Sequence, residues 1–510
     1  MSRRLFLLLL SHLALLSTLP CVGASSVEVK ASNYYPVHNI NTGLNYASIQ
    51  AGIDASETLD GHTIFVEART YYENVSVHKS LSLIGERRST TFIDGNGTGV
   101  IIDAEYNITA IVHVVADNVV IRGFTVTNGG FHGMLLDCVS NCTINDVASV
   151  DSFSCITLTN SNNNCISNSK FSNGSWGIFL FNSTENEIAK NVVSENLRGG
   201  IGMGGPEGSS KNLIANNTVS SNVLPHYQNG GFGLDLVGSD NKIFDNSITN
   251  NNNGIILDLA NRNQIEDNVI LNSTYFGIRL CGSSSNNTIF GNTAQECGLV
   301  GLVMDFGMNN IIHHNNFVDN KPQVDLVSYR TVWDDGIEGN YWNNNDGIGD
   351  TAYTIYEHYR DNLPLVGKFS AFNTVQDAHV NVISNSTIED FEYCDSNNTI
   401  KMLVSNTTVD QDLGFCRISI PHSLIDPSAG PLSVFIDEGQ TPALFLNNTL
   451  YDNGTHRWIY FAYARSTCKI VIVPEYPSII LLLFMTSTLV TAILYRREQQ
   501  ILAQKTKTRR

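Results

Sequence analysis

Four charged residues stand at spacings that could gather them into one site: Asp235, Asp258, Arg279 and Asp305. Each lies two or four residues past a short motif, Gly followed by an aliphatic residue, that recurs along the chain. If successive copies stack as neighbouring strands, these side chains lie roughly 7 to 8 Å apart on one face. Three carboxylates with one guanidinium could accept hydroxyl hydrogen bonds from a sugar chain, hold calcium against an acidic polymer, or move protons. Phe179 and Phe181 hold the same offsets on an earlier copy and offer a stacking surface. A solvated face with scattered charges is the plain alternative, and no residue is singled out as a catalytic base.

A second set is Asn345, Asp346 and Asp350, in Asn343-Asn-Asn-Asp346-Gly-Ile-Gly-Asp350. Oxygen ligands among glycines at this spacing suit calcium, the one cofactor the sequence points to, although the bidentate Glu of an EF-hand is missing. A plain glycine turn is the simpler reading. His313 and His314 are adjacent, so as strand residues they would face opposite ways and make a poor metal pair. There is no Cys-x-x-Cys or His-x-His cluster, which leaves copper without an evident ligand set.

The motif that positions these residues is a repeat. Gly133-Met-Leu-Leu136, Gly177-Ile-Phe-Leu180, Gly233-Leu-Asp-Leu236, Gly254-Ile-Ile-Leu257, Gly277-Ile-Arg-Leu280 and Gly301-Leu-Val-Met304 have apolar first and third residues after the glycine and a variable one between. That period of two is a strand with one buried face. A second column starts at Ile121, and its last six members, Ile188, Ile214, Ile243, Ile265, Ile289 and Ile312, are each followed three residues later by an asparagine: Asn191, Asn217, Asn246, Asn268, Asn292 and Asn315. A period of about 21 to 24 residues without helical spacing predicts a β-solenoid whose coils lie about 4.8 Å apart, with stacked Asn amides hydrogen-bonded between coils. The step from Gly200 to Gly233 is longer; it carries Glu207, His226 and Tyr227 and is expected to overhang the Asp235 coil. An amphipathic helix within Tyr46–Asp54 should cap the first coil, and Trp333, Tyr341 and Trp342 should plug the last.

Composition and termini set the compartment. Only 15% of the 510 residues are charged, and the net charge of −18 argues against nucleic acid as a partner. Arg3 and Arg4 before an apolar run, with small residues at Val22-Gly-Ala24, read as a secretory signal over 1–24. The apolar segment within 474–495 ends on Arg496 and Arg497, which predicts one transmembrane helix and a basic cytoplasmic tail over 496–510. Asn-x-Ser/Thr signals such as Asn74, Asn141, Asn216, Asn286 and Asn397 lie between these ends, as expected of an extracellular glycoprotein. Nine cysteines follow the signal, and Cys394 with Cys416 are a candidate bridge.

From about Phe372 the glycine anchors stop and alternating runs such as Thr399–Val404, Phe415–Ile420 and Lys469–Val473 suggest a β-sandwich. The expected architecture is therefore all-β: a right-handed parallel β-helix with its N-terminal cap over 25–370, a small β-sandwich over 371–473, and one C-terminal transmembrane helix.

The stretches Ser48-Ile-Gln-Ala, Val66-Glu-Ala, Tyr71-Tyr-Glu-Asn, Leu83-Ile-Gly-Glu86 and Ile93-Asp-Gly95 resemble the opening of NosD-like β-helix proteins. Gly339-Asn-Tyr-Trp342 and Arg360-Asp-Asn-Leu-Pro364 resemble their close, so the resemblance covers about 45–368. The segment from Pro474 to Arg497 resembles the C-terminal anchors of archaeal surface proteins. The resemblance implies the fold; its relatives include carbohydrate-binding proteins, pectate lyases, alginate epimerases and a copper-delivery accessory, so it does not choose an activity. The leading expectation is a membrane-anchored extracellular protein that binds polysaccharide or another surface polymer. A polysaccharide lyase, hydrolase or epimerase on the same face, and a structural stalk or adhesin, are the alternatives.

Overall fold

The computed structural model describes residues 34–474, except 98, 104–107, 227, 327–329, 346–350, 357, 375–377, 408–410, 427–431, 437–440, 443–450 and 465–466. The expected signal, membrane helix, basic tail, Tyr227, Asp346 and Asp350 lie outside the described residues. Among the described residues no helix is long and apolar enough to cross a membrane.

The chain winds into a parallel β-helix whose coils contribute one strand to each of three sheets, of 13, 12 and 12 strands. A typical coil runs from Glu187–Ala189 in the first sheet through Val192–Ser194 in the second to Gly199–Gly204 in the third. The register repeats without slippage: Ile188 pairs with Ile214, and Ile214 with Ile243. One isoleucine column thus fills the first sheet's inner face, because a one-residue slip would turn every apolar side chain outward. In the third sheet Ile255, Leu257, Ile278 and Leu280 are fully buried, as alternation requires. Ile256 points the other way by register, yet it too is buried, so the outer face is partly covered rather than freely solvated.

The corners carry the polar part of the core. The expected asparagine column is a ladder: the Asn191 side-chain amide donates to Asn217 Oδ1 at 3.1 Å, and the Asn268 amide to Asn292 Oδ1 at 2.9 Å. The backbone N–H of each member also donates to the next Oδ1, for example Asn268 to Asn292 at 3.0 Å. Two further ladders escaped the sequence reading. One runs through Asn164, Asn186, Asn212, Asn241, Asn263, Asn287 and Asn310 where the third sheet leads into the first. The other joins Asn196, Asn222 and Asn251 between the second and third sheets.

Both ends are closed as expected. The helix Ile49–Asp54 starts on Ser48, whose hydroxyl accepts from the Ala51 N–H, and it buries Ile49 and Ile53 on the first coil. At the far end Trp342 is fully buried, stacked between Phe317 and Tyr353 with Trp333 beside it. Tyr341 faces instead toward a small cluster with Leu365, Phe369 and Ile383.

Two five-stranded antiparallel sheets follow, from Lys368 to Pro474. Val382, Ile418 and Phe461 of one sheet share a core with Met402, Val434 and Ile470 of the other, which makes the pair a sandwich. Cys394 and Cys416 belong to different sheets of it and are not bonded to each other. Cys394 Sγ contacts Ser396 Oγ at 3.2 Å, while Cys416 is buried beside Ser384 and Tyr463. The proposed bridge is corrected accordingly.

Asn268→Ala removes the acceptor for two Asn246 donors and the donor to Ile243 O in one step. It should lower stability by about 2 to 3 kcal/mol, since each orphaned buried group costs about 1–3 kcal/mol. Gln264→Ala on the exposed side of the same coil should stay within about 0.5 kcal/mol. Denaturant titration of the two variants against the parent checks both values.

Candidate functional site

The outer face of the third sheet carries the residues singled out from the sequence. Strand register sets Phe179, Gly202, Asp235, Ile256, Arg279 and Val303 side by side in one column. Asp258, paired with Cys281, belongs to the next outward column, and Phe181 to the same column on an earlier coil. The four expected residues therefore share one face. They split into an Arg279–Asp305 pair and an Asp235–Asp258 pair, and the charges of all four reach Cys281.

Arg279 is already engaged. Its Nε and Nη2 donate to Asp305 Oδ2 at 3.2 and 3.0 Å, and its guanidinium lies 5.1 Å from the Phe276 ring centre. The arginine expected to supply the cationic contact to an acidic polymer is thus paired within the sheet. Asp235 and Asp258 form the other half of the set. Burial, and after it the nearby Asp258, push the Asp235 carboxyl up to about 7 against the opposing pull of Arg198. A carboxyl near 7 can give or take a proton at neutral pH.

The sequence reading used the outward positions two and four residues past each glycine and missed the one just before it. That column holds His132, Ser154, Trp176, Gly199, Phe232, Asn253 and Phe276. Trp176 lies flat on the sheet: a β-carbon at Gly199 or Gly202 would come 2.3 or 2.6 Å from its ring. Phe179 packs at 5.3 Å and Phe232 stacks at 6.3 Å, so the aromatic strip ends beside Asp235. The signal was legible in the residue before Gly177, Gly233 and Gly277, which is aromatic each time.

Further toward the N-terminus the same face becomes polar. His132 Nδ1 and Thr157 Oγ1 are 2.9 Å apart, and Thr157 donates to Ser154 Oγ at 2.8 Å. Burial, with His113 nearby, holds His132 down at about 4, so it is neutral at physiological pH. His113 Nε2 lies 3.4 Å from Asp137 Oδ2.

The long step between Gly200 and Gly233 does wall this face. Asn253 points outward by register but is fully buried, because its amide donates to Gln228 O at 2.8 Å and Gly230 O at 3.0 Å of the inserted loop. His226 and Glu207 are exposed. Of the expected calcium loop, Asn345 is half-buried with its N–H on Trp342 O at 2.9 Å; its two aspartates fall outside the described residues.

The adjacent histidines overturn the expectation placed on them. The first-sheet strand ends at His313, and His314 takes a left-handed φ of 58° at the corner. Strand alternation therefore stops between them, and their Nδ1 atoms come within 2.7 Å.

The family model described as "Periplasmic copper-binding protein (NosD)" matches residues 50–231 and 225–347. A cell surface glycoprotein of Methanothermus fervidus is 31% identical over 408 residues, which cover 71% of this chain and 60% of that protein. Among solved structures, a Dettilon tailspike protein aligns at TM-score 0.40 and 14% identity over 81% of this chain and 87% of its own. The A-module of the Azotobacter vinelandii mannuronan C-5 epimerase AlgE6 aligns at 0.38 and 13% over 56% and 93%. A PL6 family alginate lyase aligns at 0.42 and 12% over 63% and 53%.

The raised carboxyl gives a pH signature. Asp235 favours its protonated form in the folded state, so its contribution to stability is full below the unfolded value of about 3.8 and is lost as pH rises through about 7. Asp267, raised to about 7 by burial and by Asp245, acts in the same window. Asp235→Asn should flatten the fall in thermal midpoint between pH 4 and pH 7 in part, and Asp235→Asn with Asp267→Asn should flatten it further. A pH series of melting curves measures this.

Proposed function

This chain belongs to the NosD family, and we propose that it is a surface-held extracellular protein that binds a polysaccharide along the outer face of its third sheet. The chain spans 60% of the length of its cell-surface relative, whose name describes a glycoprotein of the cell surface. The secretory signal, the Asn-x-Ser/Thr sites and the apolar segment closed by Arg496 and Arg497 support the same placement, with one helix holding the protein to the membrane.

The observation that carries the binding role is the strip Trp176–Phe179–Phe232 ending at Asp235, walled by the loop that Asn253 holds. Aromatic faces beside hydroxyl-accepting carboxylates suit sugar rings, and a face repeated every 4.8 Å or so suits a long ligand. The ligand is a neutral glycan rather than an acidic one. Arg279 is spent on Asp305, which leaves Asp235 and Asp258 to repel a polyanion unless calcium intervenes. Calcium has its own candidate place at Asn345, Asp346 and Asp350, where it would brace the closing turn of the solenoid.

One observation favours a second reading, an enzyme acting on the bound chain. Asp235 titrates near 7, which suits a general acid or base of a hydrolase, lyase or epimerase. A stalk without a small ligand is the reading to adopt if the face binds nothing.

A glycan array probed with the protein, with and without calcium, should find neutral polysaccharides, and calcium should leave those hits unchanged. Phe181→Ala with Asp258→Ala removes two partly exposed groups of the face and should weaken binding at least roughly ten-fold, with the thermal midpoint nearly unchanged. Equal binding by parent and double variant would mean an ordinary solvated surface. Shortened, unsaturated or epimerised products on any hit, lost in Asp235→Asn, would establish the enzyme.

A further inference from the structure

We propose that His313, His314 and Asp335 form a three-ligand centre for a divalent transition-metal ion that favours imidazole, zinc(II) or copper(II), at the seam between the solenoid and the sandwich. One nitrogen from each histidine and one oxygen from Asp335 lie within 4.8 Å of one another. The site lies at the end of a first-sheet strand, off the third sheet that carries the polysaccharide face, and stands independently of it.

The backbone makes the pair. In coil after coil the residue between the first-sheet strand and the ladder asparagine is left-handed: Asn216, Asp245, Asp267 and Gly291 precede Asn217, Asn246, Asn268 and Asn292. His314 occupies this place before Asn315. The corner turns its ring back toward His313, and Phe290 and Phe369 pack on the two imidazoles.

The protons are arranged for a metal. His314 Nε2 lies 2.7 Å from Glu338 Oε2, a carboxylate that can only accept. Nε2 therefore carries the proton and Nδ1 presents a lone pair. That lone pair faces His313 Nδ1 at 2.7 Å, so one proton is held between the two rings. A carboxylate that fixes the far nitrogen of a ligating histidine is the usual outer support of such sites. The Arg417 guanidinium of the sandwich contacts the other Glu338 oxygen, which keeps Glu338 in the supporting role.

Asp335 is fixed as well. Its Oδ1 accepts from the N–H groups of Ile337 and Glu338 at 2.8 and 2.7 Å, and its Oδ2 lies 3.9 Å from His313 Nδ1. An ion would displace the shared proton and take both Nδ1 atoms and Oδ2. Metal–nitrogen bonds of about 2.0–2.1 Å in a tetrahedral set need the two nitrogens about 3.3 Å apart, well under 1 Å from their present spacing, while Asp335 Oδ2, 3.9 Å from His313 Nδ1 and within 4.8 Å of the set, must close by about 1 Å or a little more. The fourth position opens into a cavity of about 240 Å³, large enough for a water molecule. Copper, the ion in the family's description, fits this donor set as zinc does, because two imidazoles and a carboxylate suit both.

The test uses the full-length, untagged protein stripped with a chelator. Isothermal titration with Zn²⁺ and with Cu²⁺ should each show a tight equivalent that His313→Ala or Asp335→Asn weakens at least roughly ten-fold. Co²⁺ in the parent should give the intense visible bands of a four-coordinate ion, and both variants should lose them. Neither variant should move the thermal midpoint of the metal-free protein appreciably, since Asp335 and the His313 ring are partly exposed. Glu338→Gln should weaken binding 10- to 100-fold while leaving the Co²⁺ bands in place. Equal Zn²⁺ and Cu²⁺ affinities in parent and both variants, or Ca²⁺ competing as well as either ion, would overturn the proposal.

Discussion

The fold depends on one constraint: every coil must satisfy, at its buried corners, backbone groups that strand pairing cannot reach. In a parallel solenoid the strands pair with the coils on either side, but the chain turns three times per coil over an apolar core. An inward backbone group at such a turn has no water to bond and costs about 1–3 kcal/mol if left alone. Asparagine solves this because one side chain both accepts and donates. Asn217 Oδ1 takes the N–H and the amide of Asn191, while its own amide goes to Ile188 O and Asn246 Oδ1. The pattern propagates in one direction, since each coil donates to the next. It must then stop on a group that accepts without donating. Asp361 supplies that end: its Oδ2 takes the Asn340 N–H at 2.7 Å and the Trp342 indole N–H at 2.9 Å, joining the last rung to the aromatic plug.

The same constraint fixes where side chains can vary. Ladder positions and inward columns are locked from coil to coil, so the outward columns and the left-handed corners are where one coil can differ from the next. Both candidate sites use these positions. The aromatic strip occupies an outward column of the third sheet, and the histidine pair occupies a corner. A left-handed corner is easy for Asn, Asp or Gly and costs other residues roughly 1–2 kcal/mol. His314 bears that cost, and its bonds to Glu338 and packing on Phe369 offset it.

The sequence was informative where physics demands repetition and silent where it demands a particular partner. The apolar columns, the 21–24-residue period, the first asparagine ladder, the capping helix at Ser48 and the Trp342 plug were legible because each is a pattern or a composition shift. The sandwich was legible as alternation. The two further ladders hid because Asn is abundant and their members sit in loops of varying length, such as Asn186, Asn212 and Asn241. The pairing of Arg279 with Asp305 hid because outward register fixes a face and leaves open which neighbour a long side chain chooses. The histidine pair was misread because alternation was carried one residue past the end of a strand. The cysteines were misread because an oxidising compartment permits a bridge without placing two thiols on facing strands.

The two sites differ in what holds them, and this bears on how they could act. The third-sheet face is built on continuous strands, Trp176–Phe181 through Phe276–Cys281, so its spacing is as rigid as the solenoid itself. Under the proposed role, such a face would read a ligand by repeat distance without rearrangement. The histidine site stands where the solenoid meets another domain. Glu338 reaches His314 on one side and Arg417 on the other, so a change in charge at the imidazoles is felt by the sandwich through a single carboxylate. The sandwich precedes the apolar segment that ends at Arg496 and Arg497. On the proposed reading, the seating of the solenoid on the sandwich would also set how the third-sheet face is presented. The Glu338 carboxylate does not hold the seam alone: Asn316 of the last coils exchanges two hydrogen bonds with the Phe369 backbone, at 2.9 and 2.7 Å, and Leu365, Phe369 and Ile383 pack beside them, so the polar contact works against an apolar footing.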